Sequence, residues 1–64
     1  MERKTWKAHG LRLVAWGLGG YYFAIYDGER RVAHGSARSM DGAKKGAVES
    51  AKLIADQRRT RRAS

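Results

Sequence analysis

The chain has 64 residues, no cysteine, no proline, and a formal charge of +8 from 14 Lys+Arg against 6 Asp+Glu. That size allows one domain burying only about 60% of the surface its unfolded chain exposes, and without cysteine neither disulfides nor thiolate metal sites can add stability. No run of about 18 apolar residues could cross a membrane and no basic-then-apolar start suggests a secretory signal, so a soluble, cytoplasmic protein with a polyanionic partner is expected.

Residues 1–10, MERKTWKAHG, are basic around one large apolar side chain, Trp6, and read as a basic arm or an edge strand. LRLVAW (11–16) has strand length, and alternation separates Leu11, Leu13 and Ala15 from Arg12, Val14 and Trp16. GLGG (17–20) suits positive φ and a hairpin connection. YYFAIY (21–26) is the clearest strand, aromatic and β-branched. Asp27-Gly28 reads as a hairpin turn, because both residues tolerate left-handed backbone. RRVAHGSA (30–37) returns as a third strand, with Gly35 a bulge or a point of close approach.

Ser39 is placed as a helix N-cap, with Asp41 in the first turn where the dipole favours a carboxylate. Ala43, Ala47, Ala51, Ile54 and Ala55 follow at helical spacing, with Val48 at the edge of the stripe. Lys44, Lys45, Glu49, Lys52, Asp56 and Arg59 lie opposite, giving a helix of about four turns. Gly42 and Gly46 should each weaken it by about 1 kcal/mol relative to alanine. RRTRRAS (58–64) has no apolar partner and reads as a basic disordered tail. The expected fold class is α+β. Residues 11–57 form a three-stranded antiparallel meander with one C-terminal amphipathic helix packed on one face.

One helix covers one face. Alternation gives it Leu11, Leu13, Ala15, Phe23, Ile25 and Val32, with Tyr21 at the margin. Arg12, Val14, Trp16, Tyr22, Ala24, Tyr26, Arg31 and Ala33 are left on the other side. That face is too apolar for plain solvent and too basic for a core, which is the composition of a binding surface. His34 falls on the core-facing parity and reads as a packed histidine.

The stretch YYFAIYDGERRVAHGSARSMDGAKKGAV carries an aromatic, an alanine-isoleucine strand, an Asp turn, Arg-Val, a glycine, a Ser cap and an alanine-rich helix. With Trp16-Gly17 before it, the pattern over residues 16–48 resembles the β-β-β-α DNA-binding domain of plant ethylene-response factors. It is similar also to the arm-site-binding domain of tyrosine integrases. The matching residues are Tyr21, Phe23, Ile25, Asp27, Arg31, Val32, Gly35, Ser39 and the helix alanines. The resemblance implies a sheet laid in the major groove, with Arg12, Trp16 and Arg31 touching bases and phosphates. Ala24, Tyr26 and Ala33 depart from the family pattern where it carries outward polar or aromatic readers, so much of the specific base readout would be missing.

The functional expectation is a small basic nucleic-acid-binding protein, with duplex DNA favoured over single strands by the resemblance. Its site residues would be Arg12, Trp16, Tyr22, Tyr26 and Arg31 on the sheet, Arg3, Lys4 and Lys7 in the arm, and Arg58, Arg59, Arg61 and Arg62 in the tail. The alternative is a protein-binding module on the same aromatic face, of the inhibitor or adaptor kind that phages and mobile elements encode. A second copy of the chain could also cover that face as a homodimer. No enzyme, cofactor or metal is expected. Gly17-Leu18-Gly19-Gly20 lacks the following helix and Gly-Lys-Ser/Thr of a phosphate loop. His9 and His34 have no paired ligand spacing, and Asp27, Glu29 and Asp41 are turn or cap residues.

Overall fold

A computed structural model describes residues 2–63, with side chains through Arg58. Four strands, β1 (Glu2–Ala8), β2 (Leu11–Gly17), β3 (Tyr21–Asp27) and β4 (Arg30–Ala37), form one antiparallel sheet in chain order. One helix, α1 (Met40–Ala63), follows. The fold is α+β with a C-terminal helix, and the sheet has four strands in place of the expected three.

The additional strand is β1. It pairs with β2 along its whole length, from Glu2↔Gly17 to Ala8↔Leu11. The connection is the two-residue turn His9-Gly10, both at positive φ (55° and 75°). Two positive φ values in a two-residue loop twist the chain in the sense that antiparallel strands require. As an edge strand, β1 exposes Glu2, Arg3, Lys4 and Lys7, charges that discourage pairing with another chain. The β3–β4 turn is Gly28-Glu29, with Asp27 paired to Arg30 and only Gly28 at positive φ. The turn therefore sits one residue later than Asp27-Gly28.

Opposed residues of antiparallel strands share a face, so the register sorts the side chains. Leu11, Leu13, Ala15, Phe23 and Ile25 face Ala43, Ala47 and Ala51 of α1 and form the buried core with them. Burying Leu11, Leu13 and Ile25 completely contributes about 1.5–3 kcal/mol each. The alanine stripe lets the helix lie close to the sheet, and the Phe23 ring fills the space that two glycines leave. A Cβ on Gly35 would fall 2.6 Å from Phe23 Cζ, and one on Gly46 2.8 Å from Phe23 Cε1. Gly35 is thus a point of close approach. Gly46 gives up helix propensity to admit the ring.

The bulge lies elsewhere in β4. Ile25 pairs with Ala33 but Tyr26 pairs with Arg31, leaving Val32 as one extra residue. An extra residue inverts the facing of everything beyond it. Ala33, expected on the open face, therefore packs with Val32 against the core. His34, expected to face the core, is exposed on the opposite side.

The helix begins as predicted. The Gly42 N–H donates to Ser39 Oγ at 3.1 Å, satisfying one of the amides a helix start leaves unpaired, and the Ala43 N–H donates to the Ser39 carbonyl at 3.0 Å as the first bond of the helix. It runs beyond residue 57, where the sequence reading ended it, to Ala63. No glycine or proline follows Gly46 to stop it, and arginines near a helix C-terminus complement the dipole. Arg58 Nη2 donates to Asp27 Oδ2 at 2.6 Å, tying the second half of the helix to the end of β3.

Candidate functional site on the open sheet face

The pairing arranges the face away from the helix as three rows running across the strands. One outer row is Lys7, Arg12, Tyr26 and Arg31, and the other is Arg3, Trp16, Tyr22 and Ser36; between them run Thr5, Val14, Ala24 and His34. Direct cross-strand neighbours interact within the outer rows. Arg12 Cζ lies 4.9 Å from the centre of the Tyr26 ring, a cation–π contact contributing about 0.5–1 kcal/mol at a partly exposed site. Trp16 and Tyr22 stack with centroids 5.9 Å apart and planes inclined by 29°, a geometry contributing about 0.5–1.5 kcal/mol beyond area burial.

The middle row is small and apolar at its centre. Val14 is 6% exposed and Ala24 is 0% exposed, although the helix lies on the opposite side of the sheet. Their shielding comes from the larger side chains of the flanking rows, which make a second, minor core. Beside it opens a hollow of about 420 Å³, lined by Arg3, Thr5, Arg12, Val14, Trp16, Leu18 and Tyr26. Leu18, on the β2–β3 loop, is 67% exposed at its rim.

Charge divides between the two sides of the sheet. Arg3, Lys7, Arg12 and Arg31 stand on the open face with no carboxylate among them. All six side-chain carboxylates are elsewhere: Glu2 shares the helix side with its partner Gly17, Asp27 and Glu29 lie at the β3–β4 turn, and Asp41, Glu49 and Asp56 are on α1. They are nearly balanced there by Lys4, Arg30, Arg38, Lys44, Lys45, Lys52 and Arg58. Within residues 2–58 the excess positive charge therefore belongs chiefly to the open face.

The fold brings Arg3, Lys7, Arg12, Trp16, Tyr22, Tyr26 and Arg31 of the sequence-derived set onto this one face. It separates Lys4, which pairs with Ala15 and so shares the helix side, and Arg58, which is held by Asp27. The side chains of Arg59, Arg61 and Arg62 lie outside the described residues. Sequence reasoning missed Thr5, Leu18, His34 and Ser36 as members of the face or its rim. A β1 strand in register would have supplied Thr5, and the bulge supplies His34 and Ser36.

A second groove, of about 450 Å³, runs between Trp6 on β1 and Lys44, Lys45, Val48 and Glu49 on α1. Among the described residues no three His, Cys, Asp or Glu side chains group as metal ligands, and no helix is long and apolar enough to cross a membrane. No family model, curated protein or solved structure matches this chain.

Proposed function

We propose that this protein binds nucleic acid through the open face of its sheet. The observation that carries the reading is the segregation of charge: four cations and three aromatics share a face without a carboxylate, while all six carboxylates lie off it. A phosphate backbone rewards such a surface by releasing its condensed counterions when cations replace them. Trp16, Tyr22 and Tyr26 add π-faces on which bases can stack. The outer rows each place a guanidinium next to an aromatic ring, an arrangement suited to a ligand that alternates phosphate with a flat base.

The test is a salt titration of binding by fluorescence anisotropy, using the full chain and labelled duplex and single-stranded oligonucleotides in parallel. The parent is compared with the double variant Arg12→Gln, Arg31→Gln, its fold checked by circular dichroism. Each lost phosphate contact lowers the slope of log affinity against log salt by about 0.7–0.9. The double variant should therefore lose about 1.5 from the parent slope and bind more weakly at every salt concentration. Unchanged affinity and slope would overturn the reading. The face would then belong to a protein partner or to a second copy of the chain.

A further inference from the structure

The hollow on the open face narrows the class of nucleic acid. We infer that its ligand is a single strand, with one unpaired base seated over Val14 between Trp16 and Tyr26 and its phosphates held by Arg3 and Arg12. The inference rests on the nucleic-acid reading of this same face.

Width is the first argument. Strands about 4.8 Å apart give a four-stranded sheet a span of about 14 Å between outer backbones, before side chains are added. The major groove is about 12 Å wide and takes a two-stranded ribbon. A duplex preference taken from three-stranded domains thus loses its geometric basis once β1 joins the sheet. A duplex could touch the rim arginines, but its bases keep their faces stacked inside the helix.

The chemistry of the hollow is the second. Val14 and Thr5 of the middle row, the rings of Trp16 and Tyr26, and the guanidinium-bearing Arg3 and Arg12 line it. A planar group with an apolar face, a polar edge and an attached anion satisfies all three at once, and an unpaired nucleotide is such a group. Leu18 supports this assignment independently. It is 67% exposed on a loop where Gly17, Gly19 and Gly20 leave it no neighbouring side chain in sequence. The core does not use it. At the rim of the hollow it can close over a seated base as an apolar lip.

The experiment uses intrinsic fluorescence. The chain has two tryptophans, and Trp6 is on the helix side of β1, so Trp6→Phe leaves Trp16 as the reporter without touching the open face. Oligothymidylate should quench Trp16 emission to a plateau, at the same concentrations that change anisotropy, while a matched duplex binds more weakly by about 5- to 150-fold, the worth of one stacked base. Leu18→Ser, an exposed change that leaves the thermal midpoint in place, should weaken single-strand binding by about fivefold and leave duplex binding unaltered. Equal or tighter binding of duplex would overturn the inference while leaving the broader reading standing. So would single-strand binding with no change in Trp16 emission. If neither nucleic acid binds even at low salt, both fall.

Discussion

Replacing Gly46 by alanine sets helix propensity against packing, and the two predict opposite signs. In an exposed helix interior, Gly→Ala gains about 1 kcal/mol, which in a domain of this size would raise the melting temperature by about 4–8 °C. At Gly46 the added Cβ would sit 2.8 Å from Phe23 Cε1 and 3.3 Å from Cζ. The ring cannot swing clear, because Gly35 closes on its tip from β4, where a Cβ would meet Cζ at 2.6 Å. Overpacking a core of this kind costs about 1–3 kcal/mol, so the net effect of Gly46→Ala is a loss of about 0–2 kcal/mol. Thermal unfolding followed by circular dichroism should show a melting temperature unchanged or lowered. In a Phe23→Leu background, where the ring is gone, the same substitution should stabilise. The double-mutant cycle should report a coupling of at least about 0.5 kcal/mol, the range for residues in contact. A rise of about 4–8 °C on the parent background would refute the wedged ring and the close helix–sheet approach built on it.

Two further perturbations probe the ends of the helix. Ser39→Ala removes the Oγ that accepts the Gly42 N–H at 3.1 Å, and should cost about 1 kcal/mol in urea unfolding; an unaltered midpoint would mean that water replaces the cap without loss. Asp27→Asn breaks the ion pair with Arg58, whose side chains are 49% and 41% exposed respectively. Its cost should be no more than about 1 kcal/mol and should shrink as salt is raised; a larger, salt-insensitive loss would show that the helix depends on this tie.

The core of the fold was legible because its patterns are strong and local. Strands β2 and β3 alternate apolar residues toward one side, the Ser39 cap precedes an alanine stripe at helical spacing, and the run Tyr21 to Tyr26 is short, aromatic and bounded by glycine turns, which decides for a strand. Strand β1 is ambiguous in the sequence because Lys4, Thr5, Trp6 and Lys7 show no apolar alternation, and because its turn sets a non-glycine residue, His9, at positive φ. The bulge was hidden by Val32 and Ala33, both apolar, so that either parity placed an acceptable residue toward the core. A signal was present in the next residues. With the bulge, Ala33, Gly35 and Ala37 oppose Ile25, Phe23 and Tyr21, small against large at every pair. Without it, His34 and Ser36 would have stood on the core side opposite Phe23 and Tyr21. The size complementarity of cross-strand pairs, more than hydropathy, was the evidence for register here.

Sequence alternation identified most of the open face, but it could not show that the face has a structural role of its own. Val14 and Ala24 are buried there under the flanking rows, so Trp16, Tyr22 and Tyr26 stabilise the sheet as well as offering surfaces to a ligand. Loss of binding on removing one of these rings would therefore confound recognition with folding. The positions where the two separate are at the rim. Leu18, Arg3 and His34 are exposed and lie outside the core cluster; Leu18 and Arg3 line the hollow, and His34 stands on the same face opposite Ala24. Changes there can alter recognition at constant stability, whereas changes at Gly35, Gly46 or the alanine stripe alter stability while leaving the chemistry of the open face as it is. This division follows from a helix made small enough to cover one side of the sheet, with every carboxylate kept off the other.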